Sequence, residues 1–157
     1  MAATDYSGVK DTIAGMLATL VSDAVEGGYS VYHPQYAFQH RSAEETQAPP
    51  TSAGLRHFWF AAGAYRPGAL AMGSGPQHAI RDFFLYVQYP ATLRGLDNIL
   101  GADEDMIRMR MQDTAALGWP DSGVLHIQYM HAARASEKPG VRITKHTLRV
   151  QYLAKQF

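Results

Sequence analysis

The chain has 157 residues, 46% hydrophobic and 18% charged, a size and balance that suit one domain around one core and are too apolar for a disordered chain. Fourteen basic and fourteen acidic residues cancel, and no run of Lys and Arg occurs, so the footprint of phosphate-backbone binding is missing. With no cysteine, disulfides, thiolate metal sites and cysteine nucleophiles are excluded. No stretch approaches the roughly 18 apolar residues of a membrane span. Asp5, Lys10 and Asp11 interrupt the start of the chain, so neither a signal peptide nor a membrane association is expected.

Val9, Ile13, Leu17, Leu20 and Ala24 recur at three- and four-residue steps, which predicts a helix with Ser7 as its N-cap and Gly27 and Gly28 as its stop. Residues 29–39 alternate as a strand, with Pro34 pushing it toward an edge or a bend. Residues 40–54 are polar and small and carry Pro49 and Pro50, so they read as a long loop. A strand is expected over 55–65, with the aromatic run Phe58, Trp59 and Phe60. A second long loop follows over 66–79, broken by Pro67, Gly68, Gly73, Gly75 and Pro76. Loops of this length in a small domain suggest surfaces kept for a partner.

The strand expected over 80–89 places Phe83, Leu85, Val87 and Tyr89 on one face and Phe84 and Tyr86 on the other. Leu93, Leu96, Ile99 and Leu100 then show helical spacing, and Gly101 interrupts it. Asp103, Glu104 and Asp105 read as acids in the first turn of a helix through Met106, Ile107, Met111 and Ala115; one broken helix or two short ones would fit. Residues 119–123, Trp-Pro-Asp-Ser-Gly, form a turn signal. A closing hairpin of 124–134 with 141–153 is expected to set Leu125 against Val150, Ile127 against Leu148 and Tyr129 against His146. His126, Gln128 and Met130 fall on the wet face. The order of elements predicts a single α+β domain over 1–157, a mostly antiparallel sheet with helices packed on one face.

Signatures of chemistry fall short. Residues an odd number apart on a strand face opposite ways, so His126 with His131, and His33 with His40, do not converge as metal ligands. Each histidine reads as a surface or half-buried polar residue. Gly73-Ser74-Gly75 lacks the glycine a dinucleotide loop would need at His78, and the one a hydrolase elbow would need at Met72. The acids 103–105 are read as helix-capping rather than catalytic, and Met106, Met109 and Met111 as packing. No catalytic residue, cofactor or metal is expected. Aromatic residues on both faces of the middle strands, with helices for only one face, leave apolar surface that a neighbouring subunit would cover. A thicker monomer, with its long loops folded over the sheet, would do the same.

The opening amphipathic helix, the glycine-bearing loop, residues 75–90 (GPQHAIRDFFLYVQYP) leading into a helix, and the closing hairpin ending Leu148-Arg149-Val150-Gln151-Tyr152 resemble the tail terminator, or tail completion, proteins of long-tailed bacteriophages in order and length. The resemblance covers nearly the whole chain. It implies a structural virion protein assembled in the host cytoplasm. Such a protein forms a ring, commonly a hexamer, that caps the tail tube, ends its polymerisation and joins the tail at the neck to a head-side connector or stopper, while DNA passes through the lumen without sequence-specific contact. Head-to-tail contacts that close by rotation need two different faces per subunit. Material for these contacts is expected at Phe58, Trp59, Phe60, Arg66, Met72, Phe84, Tyr86, Arg108 and Arg110. The insertion at residues 41–54 departs from the compactness of the family. Two alternatives stay open: another neck component, stopper or adaptor, and a small α+β ligand-binding domain or enzyme using His57, Tyr86 and His126.

Overall fold

In a computed structural model the chain is described over residues 3–20, 25–26, 29–30, 38–41, 56–67, 77–93, 95–118, 121–135 and 140–155. Helix α1 (Tyr6–Ala18) is followed by two-residue strands β1 (Val25–Glu26), β2 (Tyr29–Ser30) and β3 (Gln39–His40). Long strands β4 (His57–Pro67) and β5 (Gln77–Pro90) come next, then helix α2 (Leu96–Met111), a 3-10 turn (Thr114–Leu117), and strands β6 (Val124–Arg134) and β7 (Val141–Ala154). Strands β3 to β7 make one sheet in the order β3-β4-β5-β7-β6; β1 and β2 pair separately. Among the described strands only the β3–β4 pairing is parallel. The fold is α+β, as the element pattern predicts.

The core forms where the apolar stripes of both helices meet one face of the sheet. Val9, Ile13, Met16 and Leu17 of α1 and Ile99, Ile107 and Met111 of α2 close over Phe58 and Phe60 of β4. The same layer takes in Phe83, Leu85, Val87 and Tyr89 of β5, Ile127 and Tyr129 of β6, and Leu148, Val150 and Tyr152 of β7. Each fully buried Leu, Ile or Phe removed from water contributes about 1.5–3 kcal/mol, so this layer dominates the stability. Alternate residues of β5 supply the core face, as a period of two requires.

Several boundaries differ from the sequence reading. Asp5, not Ser7, caps α1, its carboxylate accepting from the Gly8 N–H at 2.9 Å. The helix ends at Ala18 with Thr19 as C-cap, so it stops well before Gly27 and Gly28, which lie outside the described residues, as does Ala24. Of the strand expected over 29–39, only the two ends are described, one paired with β1 and the other parallel to β4. The loop expected over 66–79 is shorter, because both flanking strands run on in a continuing ladder that pairs Arg66 with Ile80 and Pro67 with Ala79. Residues 42–55 and 68–76, including Met72, lie outside the described residues.

Helix α2 is one unbroken helix in which Gly101 is an interior residue. A mid-helix glycine costs about 1 kcal/mol, less than the burial of the stripe Ile99, Ile107 and Met111 supplies. The acids 103–105 are therefore in mid-helix and do not cap its first turn. The closing hairpin also pairs differently: Ile127 lies opposite Val150, and Tyr129 opposite Leu148, with irregularities at Val124/His126 and Tyr129/His131. Around Ile127 and Tyr129 the offset is two residues, which keeps these side chains on their expected face. Each irregularity shifts the pairing by one residue, so that Val124 rather than Leu125 enters the core and Ala132 rather than His131 packs against it.

Candidate functional site

Among the described residues no helix packs on the second face of the sheet, and this helix-free face is built from the alternate residues of the same central strands. Trp59 lies opposite Tyr86, Ala61 opposite Phe84, Tyr86 opposite Lys145 and Asp82 opposite Arg149. Trp59 and Tyr86 stack, with ring centroids 5.8 Å apart and planes within 9°. The Lys145 ammonium sits 4.0 Å from the centre of the Phe84 ring, and Arg149 Nε donates to Asp82 at 3.0 Å. The Asp82 carboxylate raises the Arg149 pKa above its ordinary value. Trp59, Val141 and Ile143 form a second apolar cluster here, separate from the main core, with Tyr86 and Ala135 against it.

A bulge in β4 between Ala62 and Tyr65 adjoins this surface. A Cβ at Gly63 would stand 2.8 Å from Asp82 Cβ and 3.1 Å from Phe84 Cζ, so only glycine lets the bulged chain lie this close to the face. The result is a surface of the buried Trp59 ring and the half-buried Phe84 and Tyr86 rings, held by a neighbouring lysine and an ion pair. It suits packing against another rigid surface, since little side-chain freedom remains to be lost there.

The residues expected at an interface divide among three environments. Trp59, Phe84 and Tyr86 come together on the helix-free face, where Trp59 is 6% exposed and the other two are half-buried. Phe58 and Phe60 do not belong with them. Both are enclosed in the main core, edge to face at 5.8 Å, with the His40 ring stacked on Phe58, because their positions on β4 have the opposite parity from Trp59. The surplus of exposed aromatics is thus smaller than the sequence suggests. Arg108 and Arg110 lie in the helical layer. Arg108 pairs with Asp105 at 3.2 Å along the helix, and Arg110 donates to the Thr19 carbonyl at the end of α1. Arg66 is placed by its backbone ladder near the end of β4.

His57, Tyr86 and His126 do not converge. His126 is paired through Gln151 to Ile80, six positions along β5 from Tyr86 and roughly 20 Å away.

Two buried polar groups escaped the sequence reading. Arg56, at φ 59° just before β4, grips Asp103 of α2 with two bonds, Nε to Oδ2 at 2.7 Å and Nη2 to Oδ1 at 3.1 Å; the Tyr89 hydroxyl donates to Oδ2 at 2.8 Å. Burial pushes the Asp103 carboxyl above its ordinary range, and Arg56 and Tyr89 pull it part of the way back. Burial, with Asp103 alongside, raises the Tyr89 hydroxyl well above its usual value, so it remains a donor. The Arg56 N–H also donates to the Gln88 carbonyl, and its carbonyl accepts from Gln39. This one residue therefore ties β3, β5 and α2 to the start of β4. Asp103 sits four residues from both Ile99 and Ile107, inside the buried stripe, and that spacing was the signal available in the sequence.

His146 is the second group. It is buried, contrary to the surface or half-buried reading, because its position on β7 opposite Leu85 faces the helices. Its Nδ1 is 2.7 Å from the Tyr129 hydroxyl and its buried Nε2 has no partner. Burial pushes its pKa down to about 4, and burial raises that of Tyr129.

No family model matches the chain, and no curated protein matches it. Among solved structures, a chain described as "Virion of native gene transfer agent (GTA) particle" is similar at 14% identity and a TM-score of 0.42, over 95% of this chain and 91% of that one. A likeness at this level carries no argument about what the chain does.

Proposed function

We propose that the chain is a structural virion protein of a tailed, phage-like particle, acting as a tail terminator. Copies close into a ring, a hexamer by resemblance to that family, which caps the tail tube, ends its growth and meets a head-side connector or stopper. DNA passes through its lumen, and no step of covalent chemistry is involved. The observation that carries this reading is the helix-free face, where Trp59, Tyr86 and Phe84 form a pre-ordered apolar surface over which no described helix packs. A second subunit laid there would exclude water from the half-buried rings of Phe84 and Tyr86.

The outer edge supports a closed assembly over an open one. Strand β6 forms one edge of the sheet, the two-residue β3 lying at the other, and β6 carries two irregularities in register. Bulges twist an edge away from flat pairing, which discourages strand-on-strand growth and leaves faces and loops to make the contacts. The segment Arg81 to Pro90 (RDFFLYVQYP) that resembles the family forms the central strand and supplies both faces at once.

The test is to add the purified chain to tail-tube protein from the same genome during polymerisation and to image the tubes by negative stain. Tubes should be capped at one end by a ring and should stop growing. Uncapped tubes of unchanged length, with the chain remaining in solution, would count against the role.

A further inference from the structure

A pocket of about 350 Å3 opens at one end of the helical layer, lined by Asp5, Tyr6, Tyr65, Arg81, Tyr152 and Lys155 among others. Register brings these residues together. Arg81 lies opposite Tyr65 on β4 and Val150 on β7, and Tyr152 is opposite Ala79. Tyr6 stacks on Phe83, with centroids 5.2 Å apart. The guanidinium of Arg81 sits over two rings, 5.4 Å from the centroid of Tyr6 and 5.4 Å from that of Tyr65. Ring contacts of this kind fix the plane of a guanidinium and leave its N–H edge to find an acceptor. Its buried Nε has no acceptor among the described residues.

Among the described residues, the other charges lining the pocket are already matched. Lys155 pairs with Asp5 at 3.4 Å, and the Asp5 carboxylate also accepts from the Gly8 N–H. That amide and Lys155 hold the Asp5 carboxyl below its ordinary range, so it stays ionised and engaged with them. Burial raises the Tyr152 hydroxyl pKa, which keeps it protonated and able to donate. Among the described residues lining the pocket, Arg81 is therefore the cation left over, beside tyrosine hydroxyl and ring surface. A planar carboxylate matches its fork, whereas a doubly charged phosphate would meet the Asp5 carboxylate at the same rim.

We propose that this pocket binds a carboxylate presented on peptide, an acidic side chain or a chain end, with Arg81 as its anchor. The proposal is independent of the ring. It can be tested by calorimetric titration of the full chain with three short peptides: a capped tripeptide with central glutamate, one with a free C-terminal carboxylate, and a fully capped glutamine counterpart. Saturable heat is expected with at least one carboxylate peptide and at least about tenfold weaker binding of the neutral one. Whichever of the first two binds identifies the source.

Replacing the guanidinium in Arg81→Lys should weaken binding about tenfold with an unchanged circular dichroism spectrum. Tyr65 is 48% exposed, so Tyr65→Ala should fold and still weaken binding several-fold, and it decides the matter if Arg81→Lys is unstable. Absence of saturable heat with both carboxylate peptides, equal binding of the neutral peptide, or binding untouched by these substitutions would overturn the proposal.

Discussion

On the helix-covered side of the sheet the large residues of β5, from Phe83 to Tyr89 in alternation, are sealed within the chain. On the other side Phe84 and Tyr86, one step along the same strand, are half-buried, Tyr86 against Trp59 and the second apolar cluster and Phe84 against Lys145. The first side is finished by the chain's own helices, so its polar groups act on stability. The second is organised but incompletely covered, so its groups should act on association. Burial thus sorts the residues by what their replacement would change.

The largest expected effect belongs to the sealed side. Arg56→Ala leaves the Asp103 carboxylate buried without its cation, and breaking one partner of such a pair costs about 3–5 kcal/mol. The fall should be read as a lower midpoint in urea unfolding. If the loss were below about 1 kcal/mol, Arg56 and Asp103 would not be holding α2 to the sheet.

A somewhat smaller effect should follow pH. Unfolded, the imidazole of His146 takes up its proton near 6.5; folded, only near 4. Between these values the unfolded chain binds a proton that the folded chain refuses. The contribution is therefore fully present above pH 6.5 and is lost as pH falls toward 4, by about 3 kcal/mol. Urea midpoints across that window check it, and in the double variant His146→Leu with Tyr129→Phe this part of the slope should vanish. An unchanged slope would mean that other groups cause it.

The sequence reveals those parts of the fold that rest on local periodicity. Alternation along 80–89 gives the two faces of β5, and the three- and four-residue spacing of Val9, Ile13 and Leu17 gives α1, because both follow from burying one side of a regular element. Register and closure are less legible. A two-residue offset of β7 against β6 around Ile127 leaves faces unchanged, and the irregularity at Tyr129/His131, which shifts the pairing by one more residue and exchanges the faces beyond it, carries no glycine or proline signal. Gly101 looks like a break when propensity is read alone, yet packing of the stripe around it prevails. That error then turned Asp103 from the partner of a buried arginine into a cap.

The candidate surface is partly readable for the same reason. Trp59, Phe84 and Tyr86 meet as alternation requires, while Phe58 and Phe60, flanking Trp59, are spent on the core. Arg81 was visible only as the start of an aromatic strand. Its pocket depends on Tyr6, Tyr65 and Tyr152, which are brought together from three other elements, and no single segment signals that meeting.

The most direct measurement is the native mass of the purified chain beside Phe84→Glu at matched concentrations. Lys145 lies against Phe84 and can accept the new carboxylate, so the variant should keep its fold and its urea midpoint. The account predicts a closed multiple of the chain mass for the wild type and a single copy for Phe84→Glu. A wild-type chain that stays single at every concentration, or a variant that assembles equally well, would contradict it.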